Sequence, residues 1–527
     1  MKGVVAAGHP LTAEAGAKVL REGGNAVDAA IAAVLASFAT ESPLTGFGAG
    51  GFMLVHDPSG HHPPAADAER GASDSDDLSR APSEQSTPAD VLIDFFVQAP
   101  GLGGVERRAE LEPIDVYFDQ TPQTFYVGAA SCGVPGTAAG LDHALRRFGT
   151  APLGELVRPA IDLAWEGVRV NPMQAYIFKI LAPILTRYEE GAELYAPEGR
   201  VLAEGDVFRF PQLAEALERY GAEGAGPFYE GEVGEALAER VCDLGGTLSV
   251  ADMAAYEPIE REPVRASFRD VEVLTNPPPS SGGVLIALSL ELLQRLGDSG
   301  VEATVAAMRA AQESRDERFQ EGLYEEGFAA LFLDPEDLDA RASRLGSTTH
   351  LAVLDEGGMC ASVTCSNGSG SGVVVPGTGV ALNNMLGEQD LNPLGFHRSD
   401  AGRRMPSMMS PTLVMRDGGV FAGLGSAGSN RIRSAILQTV QRLVVDGMSA
   451  EDAVRAPRIH FEDGVVQAEP GIDEMALERL QQDGLGIARW KTENLFFGGV
   501  QAVARDADGG FEGGGDPRRG GAFVLVD

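Results

Sequence analysis

The chain has 527 residues, 44% of them hydrophobic, which is enough for one large layered domain or two to three smaller ones. Its 41 Lys and Arg stand against 77 Asp and Glu, a formal net charge of −36. That balance argues against nucleic acid and anionic membranes as partners, because both need a basic face, and no apolar run reaches the ~18 residues of a membrane span.

Only four of the 41 cations are lysines: Lys2, Lys18, Lys179 and Lys491. An acidic surface nearly free of lysine suits a high-salt cytoplasm, where charge keeps a protein soluble and salt screens its self-repulsion. Met1-Lys2-Gly3-Val4-Val5 enters a strand-like pattern at once, with no signal-peptide pattern ahead of it, so the expected location is cytoplasmic. Cys132, Cys242, Cys360 and Cys365 show no metal spacing and read as buried free thiols. No cofactor motif is found.

In chain order, residues 12–38 read as two helices. Thr12 is the expected cap of the first, Gly23-Gly24 breaks it, and Asn25 caps the second, which is apolar nearly all round and therefore buried. Gly46-Phe47-Gly48-Ala49-Gly50-Gly51 matches GxGxxG, but a helix precedes it and the strand-like Phe52–His56 follows. Dinucleotide binding needs the reverse order, which weakens a nucleotide-dependent oxidoreductase as a reading. Residues 57–90 are a low-complexity acidic insertion, expected to form a surface loop, and its His61-His62 lacks companion ligands.

A strand-like run follows at Val91–Phe96, and Gly133-Val134-Pro135-Gly136 opens a helical region to about 245, with helices at 138–147, 153–166 and 232–245. Pro277-Pro278-Pro279-Ser280-Ser281-Gly282-Gly283 leads into a helix at about 284–296, and 314–346 is charged and irregular. Strands are expected near 349–355, 360–365, 412–416, 420–424, 498–504 and 522–526, with helices at 431–446 and 473–483. Strands then helices, in both parts, fit two packed sheets covered by helices.

The stretch Gly346-Ser347-Thr348-Thr349-His350-Leu351-Ala352-Val353-Leu354-Asp355 reads as a loop that becomes a strand, with Thr348 at the junction. Cutting the Ser347–Thr348 bond would make Thr348 an N-terminus. Its α-amine, with a pKa of about 7.7–8.0 in model compounds, would then serve as base for its own hydroxyl. A second turn, Gly425-Ser426-Ala427-Gly428-Ser429-Asn430-Arg431, joins a strand to a helix, where outward backbone N–H groups can receive an oxyanion.

Thr348-Thr349-His350, followed by Gly372-Val373-Val374-Val375-Pro376-Gly377-Thr378-Gly379 and Leu382-Asn383-Asn384, resembles the γ-glutamyltransferase (γ-glutamyltranspeptidase) family of the N-terminal nucleophile hydrolases. The resemblance spans nearly the whole chain apart from 57–90. It implies an α+β fold, a four-layer αββα sandwich. It also implies a proenzyme that cuts itself at Ser347–Thr348 into a large subunit (1–347) and a small subunit (348–527), intertwined in one domain, with no cofactor.

By the same resemblance Thr348 is the nucleophile, Ser366 keeps a supporting hydroxyl in Thr364-Cys365-Ser366-Asn367-Gly368, and Asn367 helps hold the substrate. Gly428 and Ser429 stand where the family has an oxyanion-binding Gly-Gly pair. The glutamate-reading side departs from the pattern. Phe96 replaces the usual carboxylate-gripping arginine, Ser407-Met408 replaces two serines, Met385 a glutamine, and Glu388 the amine-gripping aspartate. A lost buried polar partner costs about 1–3 kcal/mol, enough to change substrate preference.

The sequence thus points to a self-processing threonine amidohydrolase or acyltransferase acting on a small-molecule γ-glutamyl or related acyl amide, with transfer to water or an amine. Glutaryl- or cephalosporin-type acylase specificity is the alternative on the same chemistry, and an unprocessed binding protein the alternative without it. His350 is expected to be a packed or hydrogen-bonded residue rather than a base.

Overall fold

The computed structural model describes residues 1–60, 89–118, 121–333 and 348–527. Ser347, His61-His62 and most of the 57–90 insertion lie outside the described residues.

Two antiparallel sheets form the centre. Their strands, in chain order, are β1 (Gly3–Ala7), β2 (Gly50–Asp57), β3 (Ala89–Phe95), β4 (Ile259–Arg261), β5 (Val264–Phe268), β6 (Val271–Thr275) and β7 (Thr349–Asp355). There follow β8 (Cys360–Ser366), β9 (Thr412–Arg416), β10 (Gly419–Ala427), β11 (Gly499–Arg505), β12 (Phe511–Gly515) and β13 (Ala522–Val526). One sheet runs β13-β1-β7-β8-β2-β3-β4 and the other β12-β11-β10-β9-β6-β5. Strands from both sides of residue 348 are therefore interleaved in the first sheet, with β1 hydrogen-bonded between β13 and β7.

The side-chain period of two assigns each residue to a layer. Val5, Ala7, Met53, Val55, Leu351 and Val353 face the helices α1 (Pro10–Glu22) and α2 (Ala26–Thr40). Their neighbours Val4, Ala6, Phe52, Leu54, Ala352 and Leu354 face the second sheet. Both faces of the first sheet are covered, which is why its strands read as continuous apolar runs. On the far side, α3 (Ser281–Leu296) and α4 (Val301–Glu313) pack together, and α3 and α5 (Arg431–Val444) cover the second sheet. The result is a four-layer αββα sandwich.

Asn25 caps α2 in a full capping box with Asp28. Three local expectations are corrected. Helix α1 begins at Pro10, capped by His9, whose Nδ1 accepts from Leu11 N–H at 3.2 Å. Pro10 suits the first helical position because its missing N–H would have no partner there, and Thr12 instead lies buried with its hydroxyl 2.6 Å from that of Thr40. The helix expected at 153–166 is two, Leu153–Leu156 and Arg158–Glu166, because Pro159 has no N–H to continue the ladder. The stretch from 314, expected to be irregular, holds helices at Glu317–Gly322 and Phe328–Phe332. They are joined by contacts among Phe319, Phe328 and Phe332 with centroids 4.8–5.6 Å apart.

Among the described residues no helix is long and apolar enough to cross a membrane, and no group of three His, Cys, Asp or Glu is arranged to hold a metal. The four cysteines are unpaired.

Candidate active site

Thr348 is the residue immediately before β7 and is 3% exposed. It lines a narrow cavity of about 30 Å³ that also receives Ser366 and Gly368 from the end of β8, Glu388 and Asp390 from the following loop, and Ser429 from the β10–α5 turn. Phe96, Met385, Leu391, Ser407, Met408, Met409 and Ile432 complete the walls. Residues dispersed from 96 to 432 thus meet at one point.

The glycine and asparagine motifs explain how. Asn383 Nδ2 donates to Gly48 O at 2.8 Å and to Gly133 O at 3.1 Å, and its Oδ1 accepts from Gly133 N–H at 3.1 Å. One side chain therefore fastens the loop after β8 to two distant turns. A Cβ at Gly48 would collide with the Ala381 carbonyl, so the approach depends on glycine there. The Pro277–Gly283 turn secures the opposite wall. Ser280 Oγ donates to Ser407 O at 2.8 Å, Ser281 N–H and Gly282 N–H donate to the same oxygen at 2.9 and 3.1 Å, and Asn276 Nδ2 donates to Met409 O at 2.7 Å.

At the strand-to-helix turn Gly428 has φ 118° and Ser429 φ 70°, in the left-handed region that disfavours a side chain. The backbone N–H groups of both residues lack an acceptor among the described residues, and the buried Ser429 Oγ has no partner. Ser429 shares the cavity wall with Thr348, and two adjacent unspent donors at such a turn are what an oxyanion site requires.

The specificity side is mostly apolar. Phe96 is fully buried and stacked on Phe52 at 5.3 Å, facing the cavity beside Met385 and Met408. Ser407 Oγ accepts from Met409 N–H at 3.1 Å. Glu388 Oε1 accepts from Ser369 N–H at 3.3 Å. Burial pushes Glu388 up to about 8, with the Ser369 N–H pulling it back. Burial likewise pushes Asp390 up to about 7, with Arg315 opposing.

Asn367 departs from the expectation. It does not line this cavity but faces a neighbouring one with Ser42, Tyr195 and Leu382, where its Oδ1 has no partner. The cause is the short connection after β8: Gly368 turns the chain with φ 64°, and Asn367 is tied through its N–H to Leu44 O at 2.8 Å and through its carbonyl to Asn384 N–H at 3.1 Å. His350 is buried with Nδ1 2.9 Å from Thr364 Oγ1, and burial pulls it down to about 3, so it stays neutral.

Three residues escaped sequence reasoning. Asp390 lies two positions past Glu388 in the cavity wall. Glu41, just beyond α2, accepts the Thr349 hydroxyl at 2.5 Å, and Arg519 Nη1 donates to Thr348 O at 3.3 Å. Both belong to a second small cavity with Gly8, His9 and Gln174 on another side of the same segment. Only the fold brings them there, and no local pattern marks them.

The chain is similar to several known proteins along nearly its whole length. The acylase ACY 1 proenzyme of Pseudomonas sp. (strain SE83) is 31% identical over 553 aligned residues, covering 100% of this chain and 94% of the acylase. The glutathione hydrolase proenzyme of Bacillus subtilis (strain 168) is 28% identical, covering 100% and 92%. The fold matches the crystal structure of cephalosporin acylase from Bacillus halodurans with a TM-score of 0.78 and 24% identity, covering 100% of this chain and 96% of that one. The family model described as gamma-glutamyltranspeptidase matches residues 12–86 and 107–526, on both flanks of Thr348. The chain therefore belongs to the gamma-glutamyltranspeptidase family.

Proposed function

We propose that the protein is a self-processing amidohydrolase or acyltransferase whose nucleophile is Thr348. Cleavage of Ser347–Thr348 yields a large subunit (1–347) and a small subunit (348–527) and frees the Thr348 α-amine. That amine takes the proton of its own Oγ as the oxygen attacks the acyl carbonyl, then passes it to the departing amine. The oxyanion is held by the N–H groups of Gly428 and Ser429, and water or an amine resolves the acyl-enzyme. The observation that carries this reading is the juxtaposition of Thr348, at the first position before β7, with Ser429, which belongs to a strand-to-helix turn whose two backbone donors are unspent.

The acyl donor is a γ-glutamyl or related acyl amide. Phe96 and Met408, in place of an arginine and a serine of the family pattern, favour a related acyl group over γ-glutamyl itself, since neither offers a carboxylate a donor. Acylase specificity, as in the names of two of the similar proteins, is the second reading on that ground.

Intact mass of the purified protein, prepared in high salt beside Thr348→Ala, tests the proposal. Two fragments meeting at Ser347–Thr348 in the wild type and none in the variant are expected. One chain of 55.2 kDa in both would overturn it.

A further inference from the structure

The walls of the Thr348 cavity carry two carboxyl groups and, among the described residues, no cation. Asp390 is 3% exposed, and neither of its oxygens has a hydrogen-bond partner. Glu388, equally buried, spends Oε1 on Ser369 N–H. Three arginines share this buried region and attract Asp390, Arg315 most, but the hydrogen bonds they make are to other groups. Arg315 Nη1 reaches Asn430 Oδ1 at 3.4 Å, Arg431 Nε donates to Phe496 O at 2.9 Å, and Arg433 Nη2 donates to Gln312 Oε1 at 2.8 Å. None of the three lines the cavity.

A buried carboxylate without a donor is costly until something supplies one. An ammonium brings three donors and a compensating charge. A ligand carboxylate would instead meet two acids at close range, which repel it once ionised, with the apolar Phe96, Met385 and Met408 opposite and no cation among the described lining residues. The geometry points to an acyl donor whose acyl chain carries a primary amine and no carboxylate, with Asp390 a second anchor for that amine beside Glu388. The chemical class is the amides of ω-amino acids. The γ-glutamyl group stripped of its α-carboxylate, 4-aminobutanoyl, is the simplest member. The elevated proton affinity that burial imposes on Glu388 and Asp390 supports this, because an incoming ammonium relieves it. The inference rests on Thr348 being the nucleophile.

The test is a set of four p-nitroanilides that differ only in the acyl group: 4-aminobutanoyl (amine alone), γ-glutamyl (both charges), glutaryl (carboxylate alone) and butanoyl (neither). With the processed enzyme, kcat/KM for 4-aminobutanoyl is expected to exceed that for butanoyl at least tenfold, with glutaryl slowest. In Asp390→Asn, an isosteric change, the amine-to-butanoyl ratio is expected to fall severalfold, mainly through KM. A lead for glutaryl or γ-glutamyl, or a ratio untouched by Asp390→Asn, would overturn the inference and leave the nucleophile standing. A correctly cut protein that cleaves none of the four would do the same. A chain that stays whole removes the nucleophile reading and this inference with it.

Discussion

Glu41 accepts the hydroxyl of Thr349 at 2.5 Å, one residue past Thr348, across 308 positions of sequence. With Arg519 holding the Thr348 carbonyl, Thr348 and Thr349 are gripped by residues from near both ends of the chain. The two gripping groups also attract each other: Arg519 pulls Glu41 down against the larger effect of its burial.

Glu41 is therefore expected to position Thr348 without touching substrate. A hydrogen bond to a charged or partly charged acceptor contributes about 1.5–3 kcal/mol, so its loss corresponds to roughly a tenfold or greater effect. Glu41→Gln and Thr349→Val should each slow fragment appearance and kcat about tenfold, with KM nearly unchanged. A shift in KM alone would place Glu41 in substrate binding instead.

Stability should fall as pH rises from 6.5 to 8. Burial raises Glu41 to about 7, Asp390 to about 7 and Glu388 to about 8, from ordinary values of 4.5, 3.8 and 4.5. Above those ordinary values the folded chain holds protons that the unfolded chain has released. The stabilisation is complete below the unfolded values and is lost as pH climbs through the folded ones. His350, drawn down to about 3, is neutral in the folded chain throughout this window and opposes the trend near its lower end, where the unfolded imidazole with an ordinary value of 6.5 still binds protons. Thermal midpoints across pH 6.5–8 should decline for the wild type and less steeply for Glu388→Gln; a flat wild-type profile would contradict the assignment.

Ser429→Gly should stabilise the protein. A side chain at φ 70° costs roughly 1–2 kcal/mol, and glycine removes that cost while keeping the backbone N–H. Part of the gain is returned as unfolded-chain entropy. A rise in the urea midpoint equivalent to about 0.5–1 kcal/mol, with kcat changed less than threefold, is expected. A large fall in kcat would mean that the Ser429 hydroxyl takes part in the chemistry.

Salt should stabilise the chain overall. At a net charge of −36 the folded surface repels itself, and the screening length shrinks from ~10 Å at 0.1 M to ~3 Å at 1 M salt. The thermal midpoint is expected to climb between 0.1 and 2 M KCl. The Arg458–Asp516 pair, at 2.6 Å and fully buried on both sides, lies beyond that screening. Arg458→Met, which leaves Asp516 short of a partner, should cost about 3–5 kcal/mol at low and high salt alike. A penalty that vanished in high salt would mean that the pair is open to solvent.

What the sequence disclosed follows from how local each signal is. The hairpin of β7 and β8 and the caps of buried α2 are written in short-range patterns, and they were legible. Phe96, Glu388, Ser407, Met408 and Ser429 were found through motif resemblance, which carries long-range information that periodicity does not. Glu41, Asp390 and Arg519 have neither signal, since their meaning comes from contacts made only after both sheets have assembled. Asn367 was misplaced because the turn at Gly368 and the backbone bonds of Asn367 to Leu44 and Asn384 redirect its side chain without altering the look of the motif. The His9 cap was missed because histidine is an uncommon choice there, although Pro10 beside it marked the helix start.

The order β13-β1-β7-β8-β2 has one more consequence. A cut before Thr348 would sever the chain without giving either piece an edge along which to leave. The large fragment's β1 is laced on both sides by strands of the small one, so parting them means tearing backbone ladders on both sides of β1 and another between β8 and β2. Assembly is a one-molecule event only while the chain is whole. Once nicked and fully denatured, the two pieces would have to find each other in solution, so recovery on dilution from denaturant should depend on concentration for the cut protein and not for uncut Thr348→Ala.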